Sequence, residues 1–595
     1  MTGNLNLGVV GNCSYGALID EKGRIVWCCF PRFDGDPIFH SLLGSPDNNP
    51  EDGTFAISLE GLKETNQHYK KNTAILKTQL HSDEGSVEIT DFAPRFIWRD
   101  RLFHPLTLVR RIVPLSGRPR IKVQIRPRYD YGKHAMQTTH GSNHIRYITP
   151  ETTYRLTTDA PIDYVRNETL FNLEDPINIV FGPDETLSEG VSNIARLFEE
   201  RTDNYWRSWA RRLELPFEWQ DAVIRAAITL KMCTYEQTGA IIAALTTSIP
   251  EAAGSARNWD YRFCWVRDAF FVVRALNSLA AVKTMENYFR WLMNIVQQPE
   301  SGHLQPVFGI GLEKELTERQ VESLPGYRKM GPVRVGNQAH EHFQHDTYGN
   351  IILGATQAFF DRRLYRQAGL DDFIHLEKAG EQAFQFYNQP DAGIWELRSR
   401  ARIHTSSSLM CWAACDRLAK IAAQLEQSDR AKIWKKRSHV IKEVILKEAW
   451  SDKRNCFVES FGGKDLDASV LLMAEVGLID PKDPRFVATV DAMEEELARG
   501  PYMMRYEAPD DFGKPETAFN ICAFWRLDAL ARIGRKEEAR DIFESLLATR
   551  NHLGLLSEDT HPETKELWGN FPQTYSMVGI INGAMRLSRS WESVV

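Results

Sequence analysis

The strongest indication of the fold of this 595-residue chain is a change in the spacing of its hydrophobic residues near residue 190. Before that point, apolar and polar residues alternate in short runs, as where Ile121, Val123 and Ile125 alternate with polar neighbours. A period of two is typical of strands that bury one face of a sheet. Residues 1–190 are therefore predicted to form an antiparallel β-sandwich.

Beyond residue 190 the apolar residues recur at helical spacing. Ile521, Phe524 and Leu527 form one stripe, which we expect to end before Gly534 because glycine readily terminates a helix. Stripes of this kind follow one another almost to the end of the chain, and they predict an all-helical second part.

The number of helical segments predicts the architecture of the second part. Residues 191–215 are predicted to be a linker helix, and roughly a dozen helical segments follow between residues 218 and 588. They show no sequence repeat of fixed period, which disfavours a solenoid. Helices in successive pairs predict an (α/α)6 barrel over residues 216–595, so the fold class is multidomain α+β.

Composition excludes several classes of protein. The net charge of -7 argues against nucleic acid as a partner, because polyanions bind basic surfaces. No stretch reaches the length of a membrane-spanning helix, so we expect no membrane partner. The nine cysteines form no paired framework, and the chain start lacks a secretory pattern, so a reducing, cytoplasmic location is expected. The sequence leaves open whether the protein is a homo-oligomer.

Two glutamates stand beside residues that suit a sugar site. Glu396 follows Trp395, and Glu558 precedes the polar and aromatic run 569–573. Two carboxylates that flank one glycosidic bond are the usual minimum for hydrolysing it, one as proton donor and one as proton acceptor. The pair indicates a glycoside hydrolase, provided that the fold brings the two glutamates together.

The densest polar and aromatic run of the chain spans residues 257–268. It contains Trp259, Trp265, Arg267 and Asp268. One interpretation is a buried cluster that caps the following helix, since helix starts attract aspartate. The other is a sugar clamp, in which Asp and Arg bind hydroxyl groups and Trp supplies a flat wall.

Several of these segments together resemble one known family. Residues 258–268, 393–396 and 554–573 resemble glycoside hydrolase family 15, which includes glucoamylases, bacterial trehalases and related exo-α-glucosidases. Residues 27–34 resemble the trehalase-like members. The similar segments occur in the same order along nearly the whole chain, which is more specific than any one of them.

The resemblance implies a role for each site residue. Glu396 matches the family's general acid and Glu558 its general base. Arg267 and Asp268 match residues that hold the non-reducing glucose, and the segment around Arg505 matches another that binds this sugar. The predicted substrate-binding residues are Trp259, Trp265, Arg267, Asp268, Trp395, Arg505 and Tyr506.

The proposed chemistry sets expectations for the two carboxylates. A general acid must stay protonated near neutrality, and the apolar neighbours of Glu396, including Trp395 and Leu397, could raise its pKa by desolvation. Glu558 should stay ionised in what its polar neighbours indicate is a wetter setting. Asp559 is a nearby like charge and a rival for the role of base.

The resulting hypothesis is an inverting, exo-acting α-glucoside hydrolase that releases glucose from the non-reducing end of trehalose or short α-glucosides. A glucoamylase-type or isomaltose-type glucohydrolase is an alternative. Leu397 stands where fungal glucoamylases carry a second acidic residue, so we expect a different site for the leaving sugar. Alternatives of another class are a phosphorylase of similar architecture and a non-catalytic sugar-binding protein.

No cofactor and no metal are expected. His340, His342 and His345 lie close together in sequence but lack the ligand spacing of a metal site, so a polar pocket rim is the preferred interpretation. The run 308–311 is too short for a dinucleotide-binding loop and follows no βαβ pattern. The expected partner is a small carbohydrate.

Overall fold

The computed structural model describes residues 5–45, 49, 51–297 and 303–593. The predicted sandwich and barrel segments, 1–190 and 216–595, each include a few residues that lie outside these ranges.

Short strands build the first part of the chain, as its alternating pattern predicts. The strands are β1 (Leu7–Gly11), β2 (Gly16–Asp20), β3 (Ile25–Phe30), β4 (Asp36–Phe39), β5 (Phe55–Leu59), β6 (Glu64–Tyr69), β7 (Leu76–His81), β8 (Gly85–Phe92), β9 (Phe96–Trp98), β10 (Arg101–Phe103), β11 (Leu108–Gly117), β12 (Arg120–Ile125), β13 (Arg128–Tyr129), β14 (His134–Ala135), β15 (Gln137–His140), β16 (His144–Ile148), β17 (Thr153–Thr158), β18 (Phe171–Asn172) and β19 (Ile177–Pro183).

Most of these strands belong to two antiparallel sheets. One has the order β1-β2-β3-β5-β12-β18, with β4 paired to β3, and the other has the order β15-β16-β17-β19-β11-β8-β7-β6. On β12, Ile121 and Val123 are fully buried, as their alternation predicts. The sheets pack face to face, since the Phe39 and Phe55 rings of the first lie 5.6 and 6.4 Å from the Phe181 ring of the second. The predicted antiparallel sandwich is confirmed.

Two helices accompany the sandwich. The short α1 (Ile162–Arg166) follows β17, and the long α2 (Val191–Ala210) packs against β11, β19 and the β9–β10 hairpin. The α2 helix lies within the segment 191–215 that the sequence assigns to a linker helix. The domain limits drawn at residues 190 and 215 stay predictions.

Twelve further α-helices occur in the described part of the chain beyond residue 218. They are α3 (Gln220–Met232), α4 (Val266–Ser278), α5 (Val282–Val296), α6 (Asp346–Thr356), α7 (Leu370–Phe386), α8 (Thr405–Gln424), α9 (Ser428–Glu448), α10 (Leu472–Val476), α11 (Pro484–Leu497), α12 (Asn520–Arg532), α13 (Lys536–Ala548) and α14 (Thr574–Leu587). Gly534, with φ of 101°, lies just beyond the end of α12, as its sequence predicts.

The helices close into two concentric rings. In the inner ring α4 contacts α6, α6 contacts α8, and the contacts continue through α10, α12 and α14 back to α4. Inner helices such as α12 and α14 are buried on almost every side, whereas the outer α9 buries a single stripe. A helix that is apolar all round must be covered on all sides. The predicted (α/α)6 barrel is confirmed.

The sandwich is anchored to the barrel by a buried ion pair. Asp260 and Arg262 lie 2.7 Å apart, and both side chains are fully buried. Arg262 donates to the Gly35 carbonyl oxygen and to the Tyr131 hydroxyl of the sandwich, each at 2.9 Å. A buried pair with further hydrogen bonds has one well-defined geometry. It therefore fixes Tyr261, the residue between the two, in the wall of the barrel.

Candidate active site

One pocket opens at the end of the barrel where the inner helices begin. Its walls are the loops that precede α4, α6, α8, α12 and α14. Among the residues predicted from the sequence, those that line the pocket are Trp259, Trp265, Arg267, Asp268, Trp395, Glu396 and Arg505. Glu558 and Tyr506 do not line it. Widely separated segments thus meet because each leads into the same end of a parallel ring of helices.

Glu396 faces the pocket from a strained turn. Its φ of 61° is in the left-handed region, which non-glycine residues rarely adopt. Gly393 in the same turn has φ of 68°, and a Cβ there would lie 2.7 Å from the His404 ring. The close contact requires glycine at this position. The turn lifts the Glu396 side chain away from the loop backbone, leaving it 23% exposed.

The carboxylate of Glu396 is held by residues of the 257–268 run. Trp265 Nε1 donates to Glu396 Oε1 at 2.7 Å, and Arg267 Nη2 lies 3.8 Å from the same oxygen. Arg398, which could have faced this carboxylate, instead pairs with Glu318 at 3.0 Å. Charge-assisted donors therefore fix the side chain without enclosing it completely.

Glu558 lies immediately behind the pocket wall. Tyr261, which lines the pocket, donates its hydroxyl proton to Glu558 Oε1 at 2.5 Å, and the Asn570 backbone N–H donates to Oε2 at 3.3 Å. Gly569 is required beside it, because a Cβ there would lie 2.6 Å from the Glu558 Cβ. The structure therefore brings Glu558 to the pocket through Tyr261.

The expectation of a wet setting for Glu558 is wrong. The residue is fully buried. Burial raises the pKa of its carboxyl well above the ordinary value, and the charges of Glu251 and Asp559 raise it further, against the hydrogen bond from Tyr261. The polar neighbours in sequence do not bring in water, because short strands at Ala518–Phe519, Asp559–Thr560 and Leu567–Trp568 cover this segment.

Two touching aromatic rings join the two carboxylates. The ring centroids of Tyr261 and Trp265 lie 5.3 Å apart in an edge-on arrangement. Trp265 binds Glu396, and Tyr261 binds Glu558. Two glutamates that are 162 positions apart in sequence are therefore linked through two touching rings, with Glu396 in the pocket and Glu558 behind its wall.

Arg267 and Asp268 both line the pocket. They lie in the first turn of α4 and form an ion pair at 3.2 Å. Burial raises the pKa of Asp268 to about 6, against the opposing charge of Arg267. Asp268 lies in the first turn of α4 and pairs with Arg267, so the run combines a buried ion pair at a helix start with side chains that line the pocket.

Arg505 and Trp395 form a further part of the wall, and Tyr506 stands behind it. Trp395 Nε1 donates to Asp467 at 2.6 Å, and the Arg505 guanidinium lies 5.8 Å from the Trp395 ring. The Tyr506 hydroxyl donates to Asp510, which lines the pocket, whereas Tyr506 itself does not line it. Tyr506 therefore supports a residue of the pocket wall.

The three histidines of the 340–345 loop separate. His342 lines the pocket, whereas His345 is buried against the Phe386 ring and His340 is hydrogen-bonded to the Asn337 backbone. Burial lowers the pKa of His345 to about 4. Of the three, only His342 forms part of the predicted polar rim.

Sequence reasoning assigned no role to Tyr261 and missed Glu251, both of which line the pocket. Tyr261 lies inside the 257–268 run, so its position in the sequence could have indicated that it belongs to the site. Glu251 follows a proline in an unremarkable stretch and carries no comparable signal. Within the described residues, no helix is both long enough and apolar enough to cross a bilayer.

Comparison with known proteins finds similarity along nearly the whole chain. The profile of Glycosyl hydrolases family 15 matches residues 219–585, and that of Trehalase-like, N-terminal matches residues 5–161. The Trehalase of Mycobacterium tuberculosis strain H37Rv is 30% identical, with 97% of this chain and 88% of that protein covered. The Trehalase of Thermoplasma volcanium is 30% identical, with 98% and 93% covered.

A solved structure shares the complete architecture. The crystal structure of a bacterial glucoamylase complexed with acarbose superposes with a TM-score of 0.70 and covers 99% of this chain and 94% of that one. Its sequence identity is 12%, so the likeness concerns the fold.

Proposed function

This chain belongs to glycoside hydrolase family 15, and from that premise we propose that it hydrolyses trehalose to two molecules of glucose. The full-length similarity to two trehalases supports this substrate, because both the sandwich and the barrel are covered. The observation that carries the proposal is the pair of touching rings, Tyr261 and Trp265, each of which binds one of the two glutamates.

In the proposed reaction, Glu396 protonates the glycosidic oxygen while Glu558 removes a proton from the attacking water. The water oxygen bonds to the anomeric carbon on the face opposite to the breaking bond, so the configuration inverts. We expect the two carboxyl groups to lie roughly 6.5–9.5 Å apart, which leaves room for the water. Arg267 and Asp268 of the pocket lining would bind the terminal glucose, which would make the action exo.

The setting of each glutamate supports its proposed role. Glu396 is partly exposed and hydrogen-bonded by Trp265, so it can meet the leaving sugar and be reprotonated after each turnover. Glu558 is buried behind Tyr261, so it can meet a water enclosed beneath the sugar. A raised pKa makes a carboxylate a better proton acceptor, provided that it is ionised at the working pH.

The test is a panel of α-linked glucose disaccharides, with proton NMR of the first product formed. Inverting hydrolysis of trehalose gives one β-glucose and one α-glucose per turnover, whereas retention gives α-glucose alone. Turnover of maltose or isomaltose in preference to trehalose would assign the enzyme to the glucoamylase type. Product formation that requires inorganic phosphate would identify a phosphorylase, and binding without any product would identify a sugar-binding protein.

We also propose that the enzyme works in the cytoplasm. All nine cysteines are buried and free, including the adjacent Cys28 and Cys29. Burial raises the pKa of Cys29 to about 12, which keeps the thiol protonated and unreactive. Subcellular fractionation followed by activity assay tests the location, and size-exclusion chromatography with light scattering tests whether a homo-oligomer forms.

A further inference from the structure

Glu251 is a third glutamate at the pocket, beside those assigned to acid and base. It follows Pro250 in the stretch between α3 and α4, and it is only 5% exposed. It lines the pocket wall together with Trp259 and Arg505. A carboxylate so nearly buried must be compensated by specific partners.

The carboxylate of Glu251 binds two side chains that are proposed to contact the sugar. Trp259 Nε1 donates to Glu251 Oε1 at 2.9 Å, and Arg505 Nη2 donates to Oε2 at 2.6 Å. Each oxygen thus holds one donor. Since a guanidinium and an indole are both rigid planes, a bond to their nitrogen restricts where the rest of the group can lie. Glu251 therefore sets the orientation of both.

Glu251 also belongs to a group of three buried carboxylates. Its charge raises the pKa of both Glu558 and Asp559, second in each case only to burial. Thr517 links two members of this group, since its hydroxyl lies 2.8 Å from the Glu251 carbonyl oxygen and 3.2 Å from Asp559 Oδ1. Like charges held together in a low-dielectric interior favour retention of a proton.

Positive charge near this group is limited. Arg505 contacts Glu251 directly and lowers the pKa of Glu558. Arg257 lies 4.0 Å from Glu251, but it is committed to a two-point ion pair with Asp510 at 2.6 and 2.7 Å. The other groups that act on Glu558 are the Tyr261 hydroxyl and Asp559. Glu251 is thus the carboxylate of this group that both faces the pocket and acts on Glu558.

We propose that Glu251 is a positioning residue of the hydrolytic reaction, which holds Arg505 and Trp259 against the bound sugar and acts on the buried Glu558 as a neighbouring negative charge. The inference rests on the proposed function, because it requires Glu558 to act as the base. Glu251 itself neither gains nor loses a proton in the reaction. Its effect is exerted through the three groups named.

The decisive variant is Glu251→Gln, which keeps the shape and one acceptor but removes the charge. The measurement is kcat/KM for trehalose as a function of pH. Without the charge of Glu251, the pKa of Glu558 should fall, so the acid limb of the profile should move to lower pH. KM should rise about tenfold, because Arg505 loses its charged partner. The pKa of Asp268 is also raised, by burial and by Glu396 against Arg267, and Glu251 is not among these causes, so the contribution of Asp268 should stay in place.

The matched control is Glu494→Gln. Glu494 also forms a largely buried, two-point ion pair with an arginine, Arg526. This pair joins α11 to α12, and neither residue lines the pocket. Its loss should leave both the acid limb and KM at the wild-type values. A purely structural role for Glu251 would lower kcat/KM of Glu251→Gln evenly at every pH, with the acid limb unmoved, and this result would overturn the proposal.

A second variant, Glu251→Asp, decides the question if the amide variant does not fold. It keeps the charge but shortens the side chain, so the acid limb should stay in place while KM rises. An unchanged KM would show that Glu251 does not position Arg505. If the wild type hydrolyses trehalose but the acid limb does not move in Glu251→Gln, only the role of Glu251 is refuted. If the wild type does not hydrolyse trehalose, the proposed function is refuted as well.

Discussion

The two walls that carry Glu396 and Glu558 are built differently. The first, residues 391–402, is a loop whose tip at Arg398, Ser399 and Arg400 is exposed. The second, residues 556–573, is almost entirely buried apart from a turn near residue 564. The proposed proton donor is thus positioned by a strained turn and a few hydrogen bonds. The proposed acceptor is positioned by short buried strands and by the charged groups around it.

This contrast matches the two tasks. The donor must give a proton to a leaving sugar and regain one from solvent, which requires an opening. The acceptor must hold one water against the enclosed face of the sugar, which requires that bulk water be kept out. Substitutions that affect the two walls differently therefore test the proposed roles of Glu396 and Glu558.

The largest expected effect separates donor from acceptor. Glu396→Gln should lower kcat for trehalose by roughly 10²–10⁴-fold, yet spare most activity toward α-glucosyl fluoride, because fluoride leaves without a proton. Glu558→Gln should lose activity toward both substrates, since both need an activated water. Steady-state kinetics with the two substrates measures this split, and an equal loss in both variants would contradict the assignment.

Removal of the Tyr261 hydroxyl should have the next largest effect. Tyr261→Phe loses a hydrogen bond of about 1.5–3 kcal/mol to Glu558, so kcat should fall roughly 10–100-fold. Tyr235→Phe is the control, because Tyr235 is also buried and hydrogen-bonded, to Gln237 at 2.9 Å, but does not line the pocket. Similar losses in the two variants would show that Tyr261 acts only through stability.

The burial of Glu558 predicts a gain in stability when its charge is removed. Because its pKa is raised in the folded state, the folded protein holds this proton up to a higher pH than the unfolded chain does. Stability of the wild type therefore falls as pH rises above the ordinary glutamate pKa. Glu558→Gln should be more stable by roughly 0.5–2 kcal/mol at neutral pH, with the gain shrinking in acid. Urea unfolding at both pH values measures it, and a gain that grows in acid would refute the argument.

The smallest effect is expected at the exposed loop. Asp511 accepts from the backbone N–H of Arg398 at 2.5 Å and of Ser399 at 3.3 Å, and so ties this loop to the next. Asp511→Asn should cost less than about 1 kcal/mol of stability, because the contact is exposed. KM for trehalose should rise a few-fold as the donor wall loosens. A stability loss as large as that of a core substitution would contradict the contrast between the walls.

Much of this molecule follows from its pattern of residues. The alternation around Ile121 and the stripe ending at Gly534 predict strand and helix correctly, because burial of one face imposes a period of two or of about 3.6. The roles given to Glu396 and Glu558 stay predictions. That their two segments approach the same pocket was foreseeable, because several distinct segments occur together in family order.

The electrostatic setting of the site was not foreseeable in the same way. The neighbours of Glu558 in sequence are polar, yet its surroundings in space are a buried set of carboxylates that includes the distant Glu251. Likewise Tyr506 is adjacent to Arg505 in sequence but does not line the pocket, and its hydroxyl donates to Asp510 of the pocket wall. Side chains of adjacent residues point in different directions, so the neighbours of a residue in sequence do not show which groups surround its side chain in the fold.

The residue pattern alone was enough to predict the succession of a sandwich and a helical barrel, the family, and the two glutamates around which a hydrolytic site is expected. Which carboxylate is open and which is enclosed became apparent only from the fold, as did the place of Glu251 beside the enclosed one. The physical reason is that periodicity and motifs are local properties of a chain, whereas the pKa of a buried group depends on charges and solvent that the fold brings from distant segments.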